Sequence, residues 1–277
     1  MSDSSRLALS AIAGAIIGAG VLLAARRTNA RWPRAGRAGT ALAVAIVATP
    51  LLIGAWIGAN SHTMGWFGSQ VGHGPRDRRE VALTFDDGPN DSATLAIASI
   101  LEARGTTGTF FVVGRAVQAR PETARRLVER GHLLGNHSFR HDAKGWLDPR
   151  YPELMRTQRA IKAATGTCPA FYRAPHGQHT PLLARVVHAH GLIMIGWDAS
   201  AGDWATKSPG VVARRILRKV RPGSIIDLHD GLDGNPKADR SVLVRALPLI
   251  LDGLEQRHLV PVRLDALLDR RGTLATC

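Results

Sequence analysis

Residues 81–89 read Val81-Ala82-Leu83-Thr84-Phe85-Asp86-Asp87-Gly88-Pro89. The apolar, β-rich run predicts a strand over Val81–Asp87, and the Gly-Pro pair marks its end. A strand that stops on two acids puts charge where parallel α/β sheets bind ligands, beyond the C-terminal strand ends. The rest of the chain keeps this rhythm. Helical spacing over Ser92–Ala103 puts Leu95, Ile97, Ile100 and Leu101 on one stripe. Further strands are predicted over Thr109–Val113, His132–Asn136, Phe171–Ala174, Leu192–Trp197, Ser224–His229 and Leu259–Val262. Helices are predicted over Glu122–Arg130, Tyr151–Ala164, Pro181–Ala189, Val211–Val220 and Ser241–Leu254. Repeated β–α units of this length imply parallel strands with crossover helices. Roughly seven units suit an incomplete (β/α) barrel better than a full eightfold one, and a doubly wound sheet is the alternative.

Upstream the pattern changes. Leu7–Ala25 and Thr40–Ala59 are uncharged apolar runs, each about long enough to cross ~30 Å of hydrocarbon. Between them lie Arg26, Arg27, Arg31, Arg34 and Arg37 with no acid, a loop that stays in the cytoplasm. Residues 1–60 therefore read as a two-helix transmembrane hairpin (about 7–25 and 40–59). Residues 61–80 read as a linker, and 81–277 as a domain on the extracytoplasmic side of the cytoplasmic membrane. A cleavable signal peptide is the competing reading of the first run. Lys plus Arg number 36 against 22 Asp plus Glu, a net charge of +14 that fits any anionic partner, membrane lipid included. The export topology and only two Tyr and six Phe for base stacking speak against nucleic acid. Two cysteines, Cys168 and Cys277, are too few for a disulfide scaffold or a four-cysteine zinc site. Outside the cytoplasm they could pair, but their spacing does not fix it.

The polar residues cluster at the predicted strand ends. They are Asp86-Asp87; Asn136-His137-Ser138-Phe139-Arg140-His141; Arg173-Ala174-Pro175-His176-Gly177; the run Trp197 to Trp204; and Asp227-Leu228-His229-Asp230. Adjacent carboxylates repel unless a cation lies near. His137 and His141 are four apart, which on a helical turn lets both grip one metal ion. One carboxylate plus two imidazoles is a catalytic metal set with positions open for water. Arg173 can pair with the second carboxylate, and His229 is a candidate proton donor. Metal, base and acid together suit hydrolysis of an amide or ester.

The ordered motifs TFDDGP, H-S-x-x-H, R-x-P-x-G, D-W and L-H-D resemble the polysaccharide deacetylase family, the NodB-homology or carbohydrate esterase family 4 domain. The resemblance spans residues ~80 to ~265. It implies a distorted (β/α) barrel, a divalent metal (usually Zn2+, in some members Co2+ or another ion) and removal of acetyl groups from acetylated glycans. It implies Asp86 as base, Arg173 as the group orienting it, and Asp87, His137 and His141 as metal ligands. It also implies His229 as acid tuned by Asp203, and a substrate pocket formed by Pro175, the His176 N–H, Trp204, Leu228 and Asp227. The expected substrate is an N-acetylhexosamine polymer of the cell envelope, peptidoglycan or chitin-like, or a lipid-linked glycan. The alternative is a catalytically altered, membrane-tethered glycan-binding module of the same fold. Two positions depart from the pattern. Ser200 stands where D-x-x-D-W has its first Asp, with Asp198 two residues earlier. Asp227 stands where an apolar residue usually lines the pocket for the acetyl methyl. Basic helix positions such as Arg214, Arg215, Arg218, Lys219 and Arg221 read as solvated faces that favour an acidic wall.

Overall fold

The predicted first strand is β2, Glu80–Asp86, and it lies inside a curled parallel sheet. The computed structural model describes residues 37–59 (side chains from 45), 70–142, 144–145, 148–178 and 180–277. The other strands of the sheet are β1 (Gln70–Val71), β3 (Thr109–Val112), β4 (Leu133–Asn136), β6 (Phe171–Tyr172), β7 (Ile193–Ile195), β8 (Ala199–Ser200), β9 (Ile225–His229) and β10 (Val260–Val262). Their order is β1-β7-β6-β4-β3-β2-β9-β8, with β10 beside the start of β2. Every pairing in this sheet is parallel. The sheet is an open, curled α/β half-barrel with β1 and β8 as its edges, rather than a closed barrel.

Strand alternation sorts the side chains into two layers. Outward-facing Val81, Leu83 and Phe85 of β2 pack with Phe110, Val112, Ile226 and Leu228 against the surrounding helices. The helix Ser241–Gln256 supplies Leu243, Leu247, Ile250 and Leu254 to that layer at helical spacing. Inward-facing Ala82, Phe111, Phe171, Ile195 and Ile225 form a second cluster with Leu264 and Leu267 of the short helix Leu264–Leu268. Above this apolar plug the inward positions become Thr84, Asp86, Asp227 and His229, in register as Thr84 opposite Asp227 and Asp86 opposite His229.

Several boundaries differ from the sequence expectation. The predicted linker 61–80 is partly built into the domain. Gln70–Val71 pairs with β7, His73 bridges Ser224, and Arg76 pairs with Asp198 at 2.6 Å. The helix Gly114–Ala119 has only six residues, too short to show a periodic stripe. The basic helix Pro209–Lys219 buries Val212, Ala213 and Ile216, while Arg215 donates to the Ala201 carbonyl and Lys219 to the Ser200 carbonyl. Part of that basic face therefore clamps the β8 segment rather than facing only solvent.

The chain divides into two units, Met1–Ser61 and His62–Cys277. In the first, a helix runs Arg37–Ala59 with Pro50 inside it and leaves Ile46, Leu51, Leu52, Ile53 and Trp56 exposed. Among the described residues no helix is long and apolar enough to cross a membrane. The run 7–25 and residues 60–69 lie outside the described residues.

Cys168 and Cys277 form a disulfide that spans 109 residues. It ties β5 (Cys168–Pro169) to the chain end beside β11 (Thr273–Leu274), its antiparallel partner. Closing so long a loop restricts the unfolded chain, so reduction should lower unfolding free energy by about 2–4 kcal/mol. In cells lysed into an alkylating agent, both thiols should be protected. Quantitative alkylation of both would overturn the bond.

Candidate active site

Asp86 and Asp87 are neighbours on a strand, so alternation alone would send them to opposite faces. Asp86 faces inward from the last residue of β2. Asp87 adopts φ of 78°, which swings its carboxyl back toward the same cavity. Ser138, His141 and His176 also carry positive φ. Left-handed backbone at non-glycine residues is strained, and Asp87, His141, His176 and Asp233, four of the eight described residues that adopt it, line one cavity.

Arg173 lies beneath the carboxylates, fully buried. Its Nη1 donates to Asp86 Oδ1 at 2.7 Å, Thr84 Oγ1 at 2.8 Å and Asp227 Oδ1 at 3.3 Å, and its Nη2 to the Gly196 carbonyl at 3.2 Å. The guanidinium covers the Phe111 ring at 4.1 Å.

His137 and His141 do not share a helix. They sit on the loop after β4, where the Asn136 side chain accepts from the Ser138 N–H and Ser138 Oγ from the His141 N–H. The two left-handed residues fold this loop so that the rings meet, centroids 4.8 Å apart. Both Nε2 atoms approach Asp87 Oδ1, His141 at 3.2 Å and His137 at 3.5 Å. His137 Nδ1 donates to the Arg173 carbonyl at 2.9 Å, which leaves a lone pair on Nε2.

These residues fit a divalent ion. Asp87 Oδ1 is buried with no hydrogen-bond partner. Tetrahedral bonds of about 2.0–2.1 Å place neighbouring ligand atoms about 3.3–3.4 Å apart, close to the spacing here. Burial works against charge on Asp87, yet the His137 imidazole, with those of His141 and His229, holds its carboxyl well below the usual range. Burial and the nearby His137 hold His141 down at about 4, so it is neutral at pH 7. Burial opposes charge on His137 too, but Asp86 and Asp87 outweigh it and raise its pKa. They favour positive charge there, which a bound cation supplies in place of the proton.

On the opposite wall, His229 Nδ1 meets Asp203 Oδ1 at 3.0 Å, and the His229 N–H donates to Asp203 Oδ2. Arg240 holds Asp203 Oδ2 and donates to the His229 carbonyl at 2.9 Å. Burial disfavours the imidazolium, but the charges of Asp203 and Asp227 and the Asp203 hydrogen bond outweigh it and push His229 up to about 10. Trp204, half exposed, packs edge-on against His229 at 4.8 Å.

Asp86, Asp87, His137, His141, His176, Trp204, Asp227 and His229 line one cavity of about 400 Å³. Arg173 lies below it and Asp203 behind His229. The His176 N–H makes no hydrogen bond among the described residues. Leu228 is not in the cavity; alternation turns it into the outer core with Leu83 and Phe85. Pro175 starts a short turn and does not line the cavity either. Asp198 does not replace the missing first Asp of D-x-x-D-W. Its carboxylate binds Arg76, Ser224 and the Ile225 N–H at the foot of β9.

Sequence reasoning gives no role to Thr84, Asp230, Asp233 or Arg240. Thr84 shares Asp86's inward parity, a signal that could have found it. Asp230 is fully buried, takes the Thr94 hydroxyl and lies against Gly88, where an added Cβ would sit 2.1 Å from its Oδ2. Gly231 next to it allows the Asp87 carbonyl to come within 2.3 Å of where a Cβ would be, so the two motifs interlock only through glycine. Asp233 lies 2.9 Å from His141 Nδ1, and its N–H donates to Asp87 Oδ2.

Comparison with known proteins places this site in context. The polysaccharide deacetylase family profile matches residues 73–195. A chitooligosaccharide deacetylase of Bradyrhizobium sp. is 33% identical over 188 residues, 65% of this chain and 86% of that protein. A peptidoglycan-N-acetylglucosamine deacetylase of Listeria monocytogenes is 32% identical over 157 residues, 56% of this chain but only 33% of that longer protein. The structure of a family 4 carbohydrate esterase from Streptomyces lividans in complex with acetate aligns with a TM-score of 0.59 and 29% identity. That alignment covers 66% of this chain and 91% of that one.

The ligand set predicts one divalent ion per chain. His137→Gln should lose the ion, measured by metal analysis after desalting, while keeping the wild-type far-UV spectrum. Full occupancy in this variant would overturn the assignment.

Proposed function

The chain belongs to the polysaccharide deacetylase family, and from that premise we propose that it hydrolyses the N-acyl amide of an N-acetylhexosamine glycan with the help of one divalent ion, most simply Zn2+. The observation that carries this reading is the meeting, in one cavity, of an Arg-held carboxylate, a two-His one-Asp ligand set and an Asp-held histidine.

Asp87, His137 and His141 would hold the ion, whose charge would supply polarisation of the acyl carbonyl and acidification of a water molecule. Asp86 acts as base. Its Oδ1 is fixed by Arg173, which leaves Oδ2, on the His137 side at 3.7 Å, to take a proton as the water oxygen bonds to the acyl carbon. The unpaired His176 N–H donates to the developing oxyanion. His229, its Nδ1 occupied by Asp203, gives the Nε2 proton to the nitrogen as the C–N bond breaks. Products are a carboxylate and a glycan amine. The intact base, ligand set and acid disfavour a non-catalytic glycan-binding module.

The reading extends to place and partner. The substrate is an acetylated glycan of the cell envelope, peptidoglycan or chitin-like, polymeric or lipid-linked. The domain works outside the cytoplasmic membrane, held there by the apolar N-terminal segment. Supporting this are the acid-free arginine segment between the apolar runs, the exposed apolar side chains of Arg37–Ala59, and the disulfide, a bond that persists in oxidising compartments.

Acetate release from chitooligosaccharide and from peptidoglycan tests the activity. Asp86→Asn should keep the ion and lose about 10²–10⁴-fold in kcat/KM. His229 is a raised histidine, so its acid form persists through neutrality and is lost as pH rises toward about 10; a bound cation brings that limb to lower pH. The wild-type profile should fall on the alkaline side, and His229→Ala should lose that limb with most of the rate. An unchanged limb would identify another proton donor.

A further inference from the structure

Asp227 is the residue that the acetyl reading explains least. It sits one inward step below His229 on β9, opposite Thr84, and it is 1% exposed yet lines the cavity. A methyl group meeting a buried carboxyl gains nothing from it, because the carboxyl gives up water and receives no hydrogen bond in return.

Nor is this carboxyl fully compensated within the protein. Arg173 Nη1 carries two hydrogens and faces three acceptors, and Asp227 Oδ1 at 3.3 Å is the most distant of them. Thr84 spends its own hydrogen on the Ile226 carbonyl, so it cannot donate to Asp227. Asp227 Oδ2 has no hydrogen bond among the described residues. Burial, reinforced by Asp86 and opposed by His229 and Arg173, raises its pKa, so both charge states of this carboxyl need a partner.

We propose that Asp227 selects an acyl group bearing a hydroxyl on the carbon next to the carbonyl, a 2-hydroxyacyl amide, over plain acetyl. This rests on the amide-hydrolase reading of the site. The carbonyl reacts at the level of Asp86 and His229, which are paired in register. A substituent on the adjacent carbon can then extend one layer deeper, to where Asp227 lies. A hydroxyl both donates and accepts, so it satisfies the carboxyl charged or neutral, whereas a methyl does neither. Sites built to hydrogen-bond a substrate hydroxyl discriminate strongly against the analogue that lacks it.

The experiment compares N-(2-hydroxyacetyl) and N-acetyl forms of the same chitooligosaccharide with metal-loaded protein. The hydroxyacetyl form should be favoured at least about tenfold in kcat/KM by the wild type, ~1.4 kcal/mol of barrier. In Asp227→Leu that ratio should collapse to one or below. Product inhibition of the wild type gives a readout that needs no variant: hydroxyacetate should inhibit at least about tenfold more strongly than acetate. A wild-type preference for acetyl, or an unchanged ratio in Asp227→Leu, overturns the selection while the amide-hydrolase reading stands. Absence of turnover of both substrates overturns the two together.

Discussion

A fully buried guanidinium, Arg173, is the constraint on which the site depends. Removing such a group from water costs several kcal/mol unless it is paired and hydrogen-bonded. The compensation comes from Asp86 and Thr84 of β2, Asp227 of β9, the Gly196 carbonyl after β7 and the Phe111 ring of β3. One charge therefore draws four parts of the curled sheet to a common point. It also separates the apolar plug of Phe111, Phe171 and Leu264 below from the reactive carboxylates above. The Arg173 carbonyl fixes the His137 ring as well, so backbone and side chain of one residue orient both Asp86 and His137.

The opposite wall repeats this logic on a smaller scale. Arg240 holds Asp203, and Asp203 holds His229. A buried carboxylate that is itself paired can still favour the imidazolium it faces, so His229 holds its proton through neutrality. The left-handed backbone at Asp87, Ser138, His141 and His176 shows where the fold accepts strain to bring these groups together.

Much of this was legible in the sequence because strand parity and helix spacing are local. Asp86 and His229 inward, Leu83 and Phe85 outward, and the helix stripe of Ser241–Gln256 follow from periods of 2 and 3.6. The same parity turns Leu228 away from the cavity, against its placement in the substrate pocket. What was not legible depends on long-range closure. The open edge between β1 and β8, the strand at Gln70–Val71, Arg240's reach to Asp203 and the Cys168–Cys277 bond each join segments that no local period relates. The four-residue histidine spacing misled in form: positive φ at Ser138 and His141 brings the rings together on a loop rather than on a helix.

The proposed mechanism requires Arg173 to orient Asp86 without holding the ion. Arg173→Gln, loaded with metal and checked for folding by near-UV spectrum, tests it by one kinetic measurement on a chitooligosaccharide. kcat/KM should fall by at least about a hundredfold, ~2.7 kcal/mol, with the ion still bound, because the side chain positions Asp86 whereas Asp87, His137 and His141 are held by backbone and loop. A folded Arg173→Gln protein with the wild-type kcat/KM would contradict it.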